Sequence, residues 1–433
     1  MKMNTICVKD IAKYDGQEVK LQGWVYNLRK SGKIWFLIFR DGTGIVQCTV
    51  LKNLVPQEAF EKKMILTQES SVIVTGTVRE DSRSNCGFEI TVTNIEEVQI
   101  AEEYPLGKKE HGADFLLSNR HLWLRSARQS ALMKIRHTVY YAITEYLNNN
   151  DFYRFDSPIL TPNACEGTTT LFEVPYFDEG NAYLSQSGQL YLETGIMSLG
   201  KCYDFGPVFR AEKSKTRKHL TEFWMMDAEA AFVKHDENMR IQEELARYVI
   251  KTTIERNRTE LELLKRDIEQ LQKADAPFKK MTHREAINYV NSKGASLGYN
   301  DDFGTKEEEL LTEGSDVPVF IEKWPAEIKA FYMKRDENDP NIVLGDDLIA
   351  PAGFGEIIGG SEREDSHNML LERMEKEEMN IEEYQWYLDL RKYGSVPHSG
   401  FGIGLERFVG WISGVKHIRE AIPFPRTIYR LKP

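Results

Sequence analysis

The sequence predicts a two-part α+β chain: a small five-stranded β-barrel, then a larger domain in which helices flank an antiparallel sheet. Three observations carry that expectation. Short apolar runs of period two dominate the first hundred residues, a break bearing Pro105 and Gly107 follows at 104–112, and apolar spacings of three and four then alternate with further strand-like runs. A length of 433 residues suits two or three domains. With 41% hydrophobic and 28% charged residues, collagenous, low-complexity and disordered classes are excluded.

In the first part, occupying 1–102, strands are expected at 19–26, 34–39, 44–50, 71–78 and 88–93. Asp41-Gly-Thr-Gly44 makes the turn between the second and third, and 56–63 reads as a helix between the third and fourth. Three strands, a helix and two strands is the order of an OB-fold, whose face commonly binds single-stranded nucleic acid. Arg29, Lys30, Lys33 and Arg40, with no acid among them, are interleaved with Trp35 and Phe36. Cations for phosphate and rings for base stacking, worth roughly 1–3 kcal/mol per base, suit single-stranded RNA. Two core rings beside solvated cations fit the same residues equally.

Residues 103–130 read as a hinge and 131–433 as the larger domain, with a helical insertion over about 236–340. Leu132, Ile135, Val139, Ile143 and Leu147 give 130–150 the stripe of an amphipathic helix. An extended segment broken by Pro158 and Pro162 follows at 152–162. Strands are expected at 182–186, 201–209 and 222–232, a long solvated packing helix at 236–272, and a last helix at 405–412.

The 56 basic and 67 acidic residues give a net charge of −11, which speaks against a non-specific nucleic-acid coat protein and leaves local basic grooves open. Cys7, Cys48, Cys86, Cys165 and Cys202 form neither a CxxC pair nor a zinc spacing. That usage, with no apolar signal segment and no run of 18 apolar residues, implies a cytoplasmic chain that does not span a membrane.

Three segments carry chemistry. No Walker sequence is present, so a triphosphate would be held by side chains. Arg210, Lys213, Lys215, Arg217 and Lys218, against Glu212 alone, form a basic loop able to clamp polyphosphate or simply to face solvent. Gly402-Ile-Gly-Leu-Glu-Arg407 puts a cation in the first turn of a helix, unfavourable unless an anion neutralises it. Gly345-Asp-Asp347 and Gly355-Glu356 supply carboxylates suited to bridging Mg²⁺ to phosphate.

Together and in this order, the helix and strand ending at Pro158, the run from Phe209-Arg-Ala-Glu212 to Phe223, and Gly402 to Arg407 resemble the three signature motifs of class II aminoacyl-tRNA synthetases. The barrel places the resemblance in the aspartate/asparagine/lysine subgroup. Cys165-Glu-Gly-Thr168 and Ile422-Pro-Phe-Pro-Arg426 resemble its aspartyl/asparaginyl branch. The resemblance implies that Arg210 holds the α-phosphate and the reacting carboxylate, with Ala211, Glu212, Lys218, His219 and Leu220 completing the loop and Phe223 under the adenine. It implies that Gly404, Leu405, Glu406 and Arg407 cover the other side of adenine and the γ-phosphate, Arg210 and Arg407 being catalytic. Glu356, supported by Asp347, would carry Mg²⁺, although Gly359 stands where aspartyl relatives often place Ser. Arg29, Phe36, Gln47 and Glu89 fall at positions resembling anticodon readers. A homodimer is implied through the first motif.

Amino-acid choice follows from charge. The resemblance assigns the substrate ammonium to Glu166 and Gln189, and its side-chain carbonyl to Arg363. Where aspartyl members carry Pro and Lys, this chain has Gly188 and Leu192. One cation, Arg363, facing one carboxylate, Asp227, suits a neutral amide, so asparagine with tRNA(Asn) and ATP is expected and no DNA. An aspartate-activating enzyme of relaxed tRNA choice and a non-catalytic RNA-binding relative are the alternatives.

Overall fold

The computed structural model describes residues 4–84, 86–107, 109–162, 164–165, 170–213 and 219–433. Residues 1–111 and 112–433 form two compact units.

In the first unit the barrel strands are Glu18–Ser31, Ile34–Arg40, Ile45–Leu51, Ser71–Glu80 and Phe88–Gln99, with the helix Gln57–Glu61 before the fourth and a two-residue strand, Asn4–Thr5, added beside the first. The first strand pairs with both the second and the fourth, and the fifth closes the circuit, antiparallel to the fourth and parallel to the third. The result is the five-stranded closed barrel that the strand order predicted. Alternation sorts the aromatic residues: Trp35, Leu37 and Phe39 are fully buried, whereas Phe36 faces outward. The core expectation thus holds for Trp35 and not for Phe36. The basic run is also reduced by one, because Arg40 pairs with Glu69 at 2.7 Å and lies 5.1 Å over the Trp24 ring.

The second unit is built on an eight-stranded sheet. Its order is Lys279–Thr282, Val319–Pro325, Ile342–Ala350, Gly355–Glu362, His398–Gly404, Glu222–Ala231, Lys201–Phe209 and Tyr153–Arg154, antiparallel except for the parallel pair at each end. The helix Ala127–Asn149, capped by Ser126, buries Leu132, Ile135, Val139, Ile143 and Leu147 against this sheet's core, as their spacing predicted. Helices Ala113–Ser118 and Arg120–Trp123 lie inside the stretch expected as a hinge. From there the fully buried Arg120 donates to the carbonyls of Glu420, Ile422 and Pro423 and fixes the C-terminal segment.

Three expectations are corrected. The long helix is three, His235–Arg256, Arg258–Leu263 and Ile268–Lys273, because Asn257 leaves helical geometry and Lys265 takes φ 59°. It is not a solvated helix either, since Met239, Leu245, Ala246 and Val249 enter the main core. The stretch 236–340 contains two strands of the sheet as well as helices. The segment 152–162 yields only Tyr153–Arg154 and Leu160–Thr161, Pro158 lacking the N–H a continuous ladder needs. Among the described residues, no helix is long and apolar enough to cross a membrane.

Trp35→Ala is expected to destabilise the barrel by about 3–5 kcal/mol and Phe36→Ala by clearly less, measured by urea unfolding. Equal losses would contradict the sidedness.

Candidate active site

Strand register builds the floor. Asp227 stands directly opposite Gly402, Gly402 opposite Gly359, and Gly359 opposite Asp347. Directly opposed residues share a face, so two carboxylates end a strip of bare glycine backbone. Two residues along, Glu229, Gly400 and Ser361 make a parallel row. A Cβ at Gly402 would lie 2.6 Å from Asp227 Oδ1, and one at Gly400 would lie 2.0 Å from Glu229 Oε1. The glycine run gives these side chains room to lie across the neighbouring strand. The cavity above measures about 450 Å³, with Arg210, Phe223, Lys329, Arg363 and Arg407 among its walls.

Arg210 follows the strand Lys201–Phe209, and its N–H donates to Thr221 O at 3.0 Å, joining the ends of the basic loop as a hairpin. Glu212, His219, Leu220 and Phe223 line the cavity from the same hairpin, while Ala211 does not reach it. Lys215, Arg217 and Lys218 lie outside the described residues, as does Glu166. Gly404 and Arg407 line the opposite wall; Leu405 is core. Glu406 accepts from the Trp224 N–H at 3.1 Å and pairs with Arg136 at 2.7 Å, so its carboxylate is already engaged. The cation at the helix start finds its anion: Arg407 Nη1 donates to Glu356 O at 3.1 Å and lies 3.4 Å from the Glu356 carboxylate.

Arg363 is buried and meets a different carboxylate from the one expected. Its Nε and Nη2 donate to Glu229 at 3.1 and 2.5 Å, and its Nη1 donates to Ser361 Oγ at 2.6 Å. Burial pushes the Glu229 carboxyl up, and the guanidinium in contact pulls it back toward the ionised form. Asp227 instead accepts from Ser187 Oγ at 2.8 Å and the Gly188 N–H at 2.9 Å. Burial raises it too, with Arg363 and Arg210 opposing. Behind it, Asp204 is pushed up to about 8 by burial and by Asp227, its cross-strand partner. A Cβ at Gly188 would lie 1.7 Å from Asp204 Oδ2, which explains glycine there. Leu192, set against the aspartyl lysine, does not face the cavity; it packs with Ile196 and Cys202. Gln189 lines it.

Two carboxylates converge at the other end. Glu356 Oε1 and Asp347 Oδ1 lie 3.2 and 3.6 Å from the place a Gly359 Cβ would occupy. Burial pushes Asp347 up to about 7, against the pull of Lys329, whose Nζ lies 2.7 Å from Asp347 Oδ2 and 3.7 Å over the Trp324 ring. Among the described residues no three His, Cys, Asp or Glu could hold a metal alone. Mg²⁺ ordinarily takes one or two carboxylates and completes its shell with substrate phosphates and water, so the pair fits a phosphate-bound Mg²⁺. Glu229 and Lys329 were missed from the sequence. Glu229 was legible, two residues beyond Asp227 on one strand face; nothing local marks Lys329.

On the barrel, Arg29 is opposite Phe36, Phe36 opposite Thr49 and Gln47 opposite Glu89, so the candidate RNA-reading residues share one outer face. Glu89 accepts from Thr49 Oγ1 at 3.0 Å and lies 3.5 Å from Gln47 Nε2.

The model of tRNA synthetases class II (D, K and N) matches residues 112–428, and that of the OB-fold nucleic acid binding domain matches 19–98. The chain is 52% identical, over the full length of both, to an asparagine–tRNA ligase of Pelotomaculum thermopropionicum and 50% identical to that of Symbiobacterium thermophilum. Among solved structures, asparaginyl-tRNA synthetase from Pyrococcus horikoshii complexed with asparaginyl-adenylate superposes with TM-score 0.96 at 46% identity, both chains fully covered. Its counterpart from Entamoeba histolytica, also with asparaginyl-adenylate, superposes with TM-score 0.90 at 32% identity, over 100% of this chain and 99% of that one.

The raised Asp204 makes a pH prediction. A carboxyl whose folded pKa lies above its unfolded value stabilises the fold at low pH, and that contribution is lost as pH rises through about 8. Asp204→Asn is expected to flatten the fall in unfolding free energy between about pH 4 and 8; an unchanged slope would contradict the assignment.

Proposed function

This chain belongs to the class II tRNA synthetases of the D, K and N group, and we propose that it is the asparagine-specific member: ATP and L-asparagine give asparaginyl-adenylate and pyrophosphate, and the asparaginyl group passes to the terminal ribose of tRNA(Asn), releasing AMP. One observation carries the choice of amino acid. Arg363, the cavity's candidate ligand for the side-chain carbonyl, is already matched by Glu229, and Asp227 adds a further buried acid nearby. A neutral amide offers both a carbonyl for Arg363 and N–H donors for a carboxylate. The β-carboxylate of aspartate would bring a second negative charge to an arginine that already carries one, and mismatches at such hydrogen-bonding sites reach 10⁴–10⁵ in discrimination.

In this reading Arg210 holds the α-phosphate and the reacting carboxylate, stabilising charge as it develops at phosphorus. Glu212, Lys218 and His219 bracket the nucleotide from the loop, with Ala211 and Leu220 shaping it. Phe223 lies under the adenine, and Arg407, with the Gly404, Leu405 and Glu406 backbone, covers it and the γ-phosphate. Glu166 and Gln189 receive the ammonium. Glu356 and Asp347 would hold Mg²⁺, which, when bound, neutralises phosphate charge. Loss of pyrophosphate then leaves Arg210 against the adenylate.

On the barrel, Phe36 stacks on an anticodon base, Gln47 and Glu89 hydrogen-bond to base edges, and Arg29 neutralises phosphate. A cytoplasmic homodimer completes the reading, from the family's first motif and the reduced-thiol cysteine usage.

Amino-acid-dependent exchange of pyrophosphate into ATP tests it. Exchange driven by asparagine, with aspartate at least about 10³-fold weaker, is expected; exchange with aspartate alone would make this an aspartate enzyme.

A further inference from the structure

The floor of the amino-acid end is backed by a buried polar knot that the proposed reaction does not use. Glu193 sits one turn below Gln189 on the helix Gln189–Leu199 and is fully buried. Its Oε1 lies 3.2 Å from Gln189 Nε2 and 2.8 Å from the Tyr387 hydroxyl. Its Oε2 lies 2.5 Å from Arg391 Nη2 and 3.0 Å from His398 Nε2. Arg391 is fixed in turn by donating from Nε to Glu364 O at 2.9 Å. Glu193 thus accepts at both oxygens and is held by the helix Gln385–Lys392 and the strand His398–Gly404. Burial works against its ionisation, but Arg391 and His398 outweigh it and keep the carboxyl below its ordinary range.

An ionised carboxylate accepts hydrogen bonds and donates none, whereas a glutamine amide has one donating and one accepting end. Contact with Glu193 therefore turns the Gln189 amide in one sense only, Nε2 inward to Glu193 and Oε1 away from it. We propose that Glu193 is a positioning residue that locks the polarity of Gln189, so that the cavity meets an acceptor, the carbonyl oxygen, and selects a ligand carrying an ammonium at that point. Without the lock the amide can present either end, and a donor aimed at an ammonium is repulsive. Tyr387 and Arg391 hold the lock in place. The inference rests on the assignment of Gln189 to the substrate ammonium.

The probe is succinamate, which is asparagine without its α-amino group. On the full-length protein, the inhibition constant of succinamate divided by the KM for asparagine in pyrophosphate exchange gives a ratio that measures selection for the ammonium. Glu193→Gln is expected to lower that ratio about tenfold, mainly through KM with kcat less affected, the effect of one misdirected hydrogen bond. Glu193→Asp keeps an anion for Arg391 and His398 but withdraws it from Gln189, so it guards against misfolding of the first variant and is expected to lower the ratio likewise. Gln189→Leu must collapse the ratio. If it does and both folded Glu193 variants keep the parental ratio, the lock is refuted. A Gln189→Leu ratio equal to the parent's would instead overturn the ammonium assignment beneath it, and absence of asparagine-dependent exchange in the parent would overturn the functional reading itself.

Discussion

The second unit depends on one constraint: buried and half-buried carboxylates lie across strands that have no side chains in their way. Asp227 and Glu229 extend from one strand over Gly402 and Gly400 of the next, and Asp347 faces Gly359 from the far side. On the opposite face the pattern recurs, where a Cβ at Gly360 would lie 2.4 Å from Gln242 Nε2 and 2.9 Å from Asp346 Oδ2. Burying a carboxylate without partners is prohibitive. Each of these therefore requires both space, which glycine gives, and a donor: Arg363 for Glu229, Ser187 and Gly188 for Asp227, Lys329 for Asp347 and Gln242 for Asp346.

From this arrangement the rest of the site follows. A flat, polar, glycine-floored strip lets a ligand approach the backbone closely, and its two acidic ends give it two different chemistries. At one end Arg363 is paired with Glu229 before any ligand arrives, and Asp227 adds a second acid there. At the other, Asp347 and Glu356 converge beside Lys329 and Arg407, an arrangement suited to polyphosphate with its cation. Arg210 lines the same cavity from the hairpin whose ends are joined at Thr221. Removing one partner of a buried pair such as Arg363 and Glu229 leaves an uncompensated charge, which typically costs about 3–5 kcal/mol. The floor is thus both a binding surface and a part of the fold that tolerates little change.

Strict alternation made the barrel legible, since runs such as Ile34–Arg40 bury every second residue. The stripe from Leu132 to Leu147 was legible for the same reason at helical period. Gly355–Glu362 and His398–Gly404 were not read as strands, because glycines and acids occupy places where a strand ordinarily shows apolar residues. Their pattern becomes intelligible only across strands, as acid opposite glycine. The local motifs carried Arg210, Phe223, Glu356 and Arg407 into one cavity. The partner of Arg363 was misread as Asp227, because sequence proximity to a motif does not say which of two same-face acids the guanidinium meets. The helix turns Gln189 toward the cavity and Leu192 into an apolar cluster, a difference that the substitution of Leu for the aspartyl lysine does not reveal by itself.

The charge of Arg363, offset by Glu229, makes the cavity choose a neutral amide. That choice is tested most directly by the ratio of kcat/KM for asparagine over aspartate in pyrophosphate exchange, compared between the parent and Glu229→Gln. Removing the anion leaves the Arg363 charge uncompensated, so the ratio is expected to fall by at least about tenfold as aspartate gains relative to asparagine. A folded Glu229→Gln protein with the parent's ratio would contradict it.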